Sequence, residues 1–188
     1  KYSASGELVW SLDLAFDLYP QASLALQQGG SIVVAHNQED LSSRVSGISS
    51  SGLLQWTKRY SPVTQSNGLP GPALVKSDWR GDIVLSLSND KGRRIVKLND
   101  TGREAWHITG NAIVQDFLIG DDASVYLVGG GLNEKYDGNG EFLAATTKTP
   151  STQITTGSIA IDGDRMYVAY SAVNQGEIDF YLAKFIDE

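Results

Sequence analysis

Short apolar runs separated by turn-forming residues extend along the whole chain. Runs at 32–35, 83–85, 125–128 and 166–169 each follow a segment that contains Gly or Asp. No long window gives a clean apolar stripe at i, i+3, i+4 and i+7, the spacing that predicts an amphipathic helix. Brief apolar runs bounded by turn signals are typical of β-strands. The pattern therefore predicts an all-β protein.

A glycine followed four residues later by tryptophan recurs along the chain. The phrases are SGELVW, SGLLQW, TGREAW and NGEFLA, and they contain Gly6 with Trp10, Gly52 with Trp56, Gly102 with Trp106, and Gly140, which has Ala in the place of the tryptophan. They return at intervals of roughly 40–50 residues, and a repeat of that length built from strands indicates a β-propeller. We therefore expect a propeller of four-stranded antiparallel blades.

The repeat divides the chain into four units, at about 6–52, 52–102, 102–140 and 140–188. We interpret 1–188 as a single β-propeller domain or a fragment of one. The pattern predicts strands at 22–27, 32–35, 44–48, 53–59, 73–77, 83–88, 94–98, 103–108, 113–119, 125–128, 133–136, 141–146, 158–161, 166–170 and 180–185. The fourth unit has only three of these strands, and residues 7–12 are expected to supply its outer strand. A closed four-bladed ring, a piece of a larger ring and an eight-bladed ring of two copies all remain open.

The repeated glycine and tryptophan have a mechanical explanation. A tight reversal between the third and fourth strands favours Gly, which accepts a positive φ without a steric penalty. The tryptophan on the outer strand is expected to wedge between adjacent blades, where an aromatic ring buries up to about 250 Å². The alternative, a ring of tryptophans that stack on sugars, is disfavoured because outer strands face away from the propeller axis.

Three segments resemble the repeats of known propeller families. When the end of the chain is joined to its beginning, the resulting phrase is similar to the bacterial SBBP-type repeat. This phrase contains Lys184, then Gly6, then Trp10. Residues 99–106 (NDTGREAW) resemble the quinoprotein (PQQ)-like repeat, and residues 134–143 resemble the NHL-type repeat. These families include scaffolds, assembly factors, sugar-binding proteins and enzymes. The resemblance therefore implies a propeller fold without selecting one function.

Charge and composition disfavour some classes of binding partner and some cellular locations. The formal net charge is −7, which disfavours binding to nucleic acid. The densest basic cluster, with Arg93 and Arg94, is interpreted as a solvated hairpin tip. No apolar run is long enough for a transmembrane helix. The chain has no cysteine, a composition often seen in exported bacterial proteins, and we expect an extracytoplasmic location.

Candidate chemistry is sparse. His36 and His107 lie at non-equivalent positions of the repeat and are not expected to meet. Residues 137–141 only partly match a calcium loop, which would carry Glu at its twelfth position, so calcium is a weak candidate and no cofactor is expected. Asp78 and Asp116 lie on or near predicted innermost strands, where a carboxylate could act as a general acid or bind a cation. No catalytic residue is assigned.

Binding is easier to place than catalysis. Loops between the second and third strands and between successive units form one end of a propeller, and the longest of them spans 60–72. The candidate contact residues are Tyr19, His36, Asn37, Tyr60, Tyr170 and Asn174. We expect a non-catalytic interaction module that binds a protein partner. A carbohydrate-binding propeller and a quinoprotein-like or polysaccharide-acting enzyme domain are the alternatives.

Overall fold

A computed structural model describes residues 1–14, 22–40, 42–61, 73–89, 92–111, 113–129, 132–146, 153–162, 165–174 and 177–186. These residues contain fifteen β-strands and one 3-10 turn, Gln28–Gly30. The first sheet comprises β1 (Ala22–Leu26), β2 (Ile32–Asn37), β3 (Ser43–Ile48) and β4 (Leu54–Tyr60). The second comprises β5 (Leu74–Ser77), β6 (Ile83–Asn89), β7 (Gly92–Leu98) and β8 (Glu104–Gly110). The third comprises β9 (Asp116–Ile119), β10 (Val125–Gly129), β11 (Leu132–Tyr136) and β12 (Phe142–Thr146), and the fourth β13 (Gln153–Asp162), β14 (Arg165–Asn174) and β15 (Glu177–Ile186).

Each sheet is an antiparallel series in which every strand pairs with the next one in the chain. This is the blade architecture of a β-propeller, and it confirms the fold class predicted from the repeat. The fourth sheet differs in its dimensions, because β13, β14 and β15 each run for 10 residues. The pattern predicted shorter strands there.

Gly52, Gly102 and Gly140 occupy the turns between third and fourth strands, as expected. Gly52 and Gly102 have φ angles of +90° and +78°, in the left-handed region that residues with a β-carbon rarely adopt. The turn before Gly102 is fixed by Asn99, whose side-chain Oδ1 accepts the backbone N–H of Arg103 at 2.8 Å. Asn at this position therefore satisfies the turn backbone while Gly provides the reversal.

Alternation of side chains along each strand sends apolar residues to both faces of a sheet. On β6, Ile83 and Leu85 pack against the first sheet, while Val84 between them packs against the third. A smaller cluster joins the third sheet to the fourth through Val128 and Val168. The innermost strands β1, β5, β9 and β13 contact one another in succession. The core therefore lies between the sheets rather than within one central layer.

The predicted closure of the last blade by residues 7–12 is wrong for this structure. In this segment, Leu8 forms only an isolated bridge with Tyr2, and residues 1–10 lie against the first sheet. The indole Nε1 of Trp10 donates to the backbone O of Ser50 at 3.0 Å. Among the described strands, β13 contacts β9 and β10 and has no comparable contact with β1. Within the described residues the four sheets thus form an open series, and residues 7–12 pair with no strand of the fourth sheet.

Candidate functional site

The sheets share two opposite ends, because consecutive strands run antiparallel. The turns between first and second strands, and those between third and fourth strands, lie at one end, which we call the turn face. It comprises residues 3–7, 27–31, 49–53, 78–82, 99–103, 120–124 and 137–141. The connections at the opposite end form the loop face. Much of the loop face lies outside the described residues, including the greater part of the loop 60–72.

Three of the residues expected to contact a partner on the loop face are buried. His36, Asn37 and Tyr60 are 0%, 2% and 6% exposed, so the expectation that they project from the surface is wrong. The Oδ1 of Asn37 accepts a hydrogen bond from the Ser43 hydroxyl at 2.9 Å. The guanidinium of Arg94 lies 5.6 Å from the centre of the Tyr60 ring. The contact between Tyr60 and Arg94 joins the loop-face ends of the first two sheets, whereas the bond between Asn37 and Ser43 lies within the first sheet.

The remaining loop-face candidates are either partly exposed or lie outside the described residues. Tyr170 is half-buried, and its ring stacks on that of Tyr181 with centroids 5.1 Å apart. Tyr19 lies outside the described residues, as does the side chain of Asn174. A role of Tyr19, Tyr170 or Asn174 in binding therefore stays a prediction.

The buried position of Tyr60 alters its chemistry. Burial raises the pKa of Tyr60 to about 12, the nearby carboxylate of Glu104 adds to the increase, and the guanidinium of Arg94 opposes it. The buried hydroxyl of Tyr60 makes no hydrogen bond to any described residue. Tyr60 is therefore a neutral phenol at physiological pH.

Arg93 does not belong to a solvated hairpin tip, and that interpretation is wrong. Its side chain is buried between the second and third sheets, where its guanidinium pairs with the buried carboxylate of Glu134. The Tyr136 hydroxyl donates to the same carboxylate at 2.9 Å. A buried charge is tolerated when it is paired and hydrogen-bonded. This network therefore fixes the lateral position of two neighbouring blades.

The carboxylates of Asp116 and Asp78, near the innermost strands, form hydrogen bonds that stabilise the fold. Asp116 on β9 accepts hydrogen bonds from Lys76 Nζ at 2.8 Å, from the Ser158 hydroxyl at 3.2 Å and from the backbone N–H of Ile159 at 3.2 Å. It thereby links β5, β9 and β13. Asp78 instead accepts two backbone N–H groups of its own turn.

The two histidines do not meet, as expected: His36 is on β2 in the first sheet and His107 on β8 in the second. Nδ1 of His107 lies 2.7 Å from Oε1 of Glu104. The part of the chain that the structure describes holds no group of three His, Asp or Glu side chains placed to bind a metal ion. None of its helices is long and apolar enough to cross a bilayer.

Trp79 is a largely exposed aromatic residue on the turn face, and the repeated phrases did not predict its position there. It lies in the turn between β5 and β6 and is 64% exposed. Its Nε1 donates to the backbone O of Asp121 at 3.1 Å, which ties it to the turn of the third sheet. The guanidinium of Arg80 lies 5.0 Å from its ring centre. The available signal was that Trp79 is the one tryptophan outside the Gly–x–x–x–Trp phrases.

Hydrogen bonds between neighbouring turns make this face a fixed platform. The Gln27 side-chain amide donates to the backbone O of Gly81 at 2.7 Å, which joins the first sheet to the second. Lys97 and Trp106 both donate to the backbone O of Gly138, at 3.3 and 3.0 Å, which joins the second sheet to the third. A groove of about 560 Å³ runs between the first two sheets and is lined by Gln28, Gln55, Arg80 and Asp100, among others.

The turn face around Trp79 is rich in carboxylates. Asp100, Asp121 and Asp122 are all exposed there. Partial burial alone would raise the pKa of Asp122, but hydrogen bonds from the hydroxyl and N–H of Ser124 lower it below its usual value. The backbone N–H of Glu141 lowers the pKa of Asp137 in the same way. Asp122 and Asp137 are therefore ionised at neutral pH.

No protein-family model and no curated protein matches the chain. Its fold is similar to that of a catalytically inactive virginiamycin B lyase from Staphylococcus aureus solved with quinupristin, with a TM-score of 0.58 and 10% identity over 90% of this chain and 58% of that one. It is also similar to the Pan2 WD40 domain of Neurospora crassa (TM-score 0.53, 13% identity, 89% and 54% covered) and to BBS1N in complex with ARL6DN (0.55, 10%, 88% and 53%).

The solved structures that the chain matches are β-propeller proteins, and at these identities the likeness shows the fold alone. It supports a propeller without assigning the chain to the SBBP-type, quinoprotein-like or NHL-type families. The chain spans between about one third and two thirds of the length of these structures. The neighbours include enzymes as well as a domain solved in complex with another protein.

Proposed function

We propose that this chain is a non-catalytic interaction module whose turn face binds a protein partner, with Trp79 as the central contact. The observation that supports the proposal is a large aromatic side chain that is 64% exposed and yet held in place by a hydrogen bond. Trp and Arg are enriched among the residues that dominate protein–protein binding energies. Trp79 and Arg80 supply both at one exposed turn.

The fixed position of Trp79 favours binding for an entropic reason. Ordering a mobile side chain at an interface opposes association, and a side chain ordered beforehand avoids much of that cost. The bond from Trp79 to Asp121 and the bond from Gln27 to Gly81 order the platform in the free protein. A partner therefore meets a surface that needs little rearrangement.

The carboxylates of the turn face indicate the chemistry of the partner. Asp121 and Asp122 lie in the turn to which Trp79 is hydrogen-bonded, and Asp100 lines the neighbouring groove beside Arg80. A complementary segment would present an apolar or aromatic side chain to Trp79 and Lys or Arg to the carboxylates. Such a complex is expected to form faster at low salt, because exposed charges steer association and are screened by ions.

A phage-displayed peptide library selected on the immobilised chain would test this function. We expect the selected peptides to be basic and to contain an apolar residue. Their affinity should fall about tenfold or more for Trp79→Ala, since truncating a dominant contact costs about 2 kcal/mol or more. Phe142→Ala is the matched control, because Phe142 is also exposed, at 58%, but lies on an outer strand.

The outcomes separate the alternatives. Peptides that bind Trp79→Ala as well as the native chain would contradict the proposed site. Saturable binding on a glycan array that is abolished by Trp79→Ala would favour the carbohydrate-binding alternative. A thermal shift on adding a quinone cofactor with calcium would favour the enzyme alternative.

A further inference from the structure

The first sheet exposes apolar side chains at positions that the other sheets bury. By strand register, Leu24 has the same place in its sheet as Val75, Phe117 and Ile159 have in the other three. Those three residues are 2%, 0% and 7% exposed, whereas Leu24 is 69% exposed. Leu26 on the same face is 65% exposed. This face of the first sheet therefore has apolar residues typical of an interface between blades, but no described blade packs against it.

The fourth sheet shows the complementary feature at the other end of the series. Leu182 on β15 corresponds by register to Val45, Ile95 and Asn133 on the third strands of the other sheets. Those residues are 0%, 0% and 6% exposed, whereas Leu182 is 75% exposed. Phe180, on the same face of β15, is 84% exposed. A contiguous exposed apolar stripe of this kind marks an interaction surface.

The N-terminal segment shows what belongs against the first sheet. Lys1 Nζ and Trp10 Nε1 donate to the backbone O of Ser50 at 3.2 and 3.0 Å. Lys97 and Trp106 donate to Gly138 in the same arrangement, at 3.3 and 3.0 Å. Residues 1–10 therefore occupy the place of the outer part of a preceding blade, whose inner strands are not supplied by the described residues of this chain.

We propose that two copies of this chain associate head to tail, with the face around Leu24 in each copy packed on the face around Leu182 in the other. Residues 7–12 of each copy then supply the outer strand that the fourth sheet of the other lacks. Two such contacts close a ring of eight blades, within the usual range for propellers. The chain covers 58%, 54% and 53% of the length of three propeller neighbours, so two copies match the length of one such propeller.

The register of the repeat adds a specific requirement. Lys184 on β15 occupies the same position in its unit as Lys1 and Lys97, because Tyr167 pairs with Lys184 as Val84 pairs with Lys97. In a single chain, Lys1 donates to the backbone O of Ser50. In the ring, Lys184 of the second copy takes the place of Lys1 beside Ser50 of the first copy. Residues 1–5 must therefore give way when the ring forms.

Light scattering coupled to size exclusion, over a range of protein concentrations, tests the proposal. The native chain should show twice its 20.3 kDa mass. Leu24→Glu and Leu182→Glu should each give the single-chain mass with an unchanged circular dichroism spectrum, because both side chains are exposed in one copy. Phe142→Glu, a change at a site that is 58% exposed on the outer strand of the third sheet, should retain the doubled mass.

Two further measurements separate a head-to-tail contact from other associations. Mixing Leu24→Glu with Leu182→Glu should restore the doubled mass, because the pair retains one native contact. A chain lacking residues 1–5 should dimerise at least as well as the native chain. A native chain of 20.3 kDa at all concentrations, an open-ended polymer, or a dimer insensitive to Leu24→Glu or to Leu182→Glu would each overturn the proposal.

Discussion

The indole ring of Trp10 lies so close to the backbone of Gly52 that a β-carbon on Gly52 would be 2.6 Å from Cδ2 of the ring. The same relationship joins Trp56 to Gly102, at 2.6 Å, and Trp106 to Gly140, at 2.9 Å. Each tryptophan thus packs on the glycine of the following unit rather than on its own. The glycine both provides the reversal and leaves room for the ring of the preceding unit.

Replacing Gly52 by Ala should destabilise the fold on two grounds. Its positive φ costs a residue with a β-carbon about 1–2 kcal/mol. Overpacking against the Trp10 ring costs typically about 1–3 kcal/mol more. Gly6→Ala is the matched control, because Gly6 has a φ of +83° and nothing within 4 Å of the added carbon. Equal losses in urea unfolding of the two variants would contradict the packing role.

Two tryptophans with different environments should respond differently to the same truncation. Trp106→Ala should lower the free energy of unfolding by about 2–4 kcal/mol, somewhat less than a fully buried ring, because Trp106 is half-buried between the second and third sheets. Trp79→Ala should change it little, because Trp79 is largely exposed. Thermal unfolding of both variants checks this, and a larger loss for Trp79→Ala would reverse their assigned roles.

The buried ion pair between the second and third sheets predicts a charge-dependent loss of stability. Glu134→Gln leaves the guanidinium of Arg93 buried without a counter-charge and should cost about 3–5 kcal/mol. Asp40→Asn removes the exposed pair that Asp40 forms with Arg59 and should cost about 1 kcal/mol or less. Urea unfolding of the two variants gives the comparison. A small effect of Glu134→Gln would show that solvent reaches Arg93.

The shifted ionisation of Tyr60 predicts how stability depends on alkaline pH. Tyr60 has a pKa of about 12 in the folded chain, against about 10 when unfolded. Its folded pKa is the higher one, so its contribution to stability is complete below pH 10 and is lost as the pH rises toward 12. Tyr60→Phe should remove this component. The near-ultraviolet absorbance titration of the variant should likewise lose one tyrosine that ionises near pH 12, and an unchanged titration curve would contradict the assignment.

Much of the fold could be predicted from the sequence because it depends on local signals. Alternating apolar residues between Gly- or Asp-rich turns located the strands, and the positive φ of Gly52 and Gly102 followed from the tight reversal. Closure of the ring could not be predicted in this way. It depends on whether β13 reaches β1, which is a property of how the sheets pack rather than of any one segment.

The candidate site was predicted less well, because exposure at the ends of strands is set by neighbouring sheets. Tyr60 is the last residue of its strand and begins the predicted loop 60–72, yet Arg94 of the next sheet covers its ring. Arg93 has the composition of a solvated tip, yet Glu134 of the third sheet pairs with it. Trp79 was missed because it lies outside the repeated phrases and only the structure shows its exposure.

The contact of each tryptophan with the glycine of the next unit can be measured directly by NMR. One α-proton of Gly52, Gly102 and Gly140 points into an indole ring and should be shifted upfield, with cross-relaxation to ring protons of Trp10, Trp56 and Trp106 respectively. Gly6, which has a similar φ and an open environment, should show ordinary shifts. Ordinary α-proton shifts at the three glycines, or cross-relaxation from each ring to the glycine of its own unit, would contradict the arrangement of these sheets as successive blades.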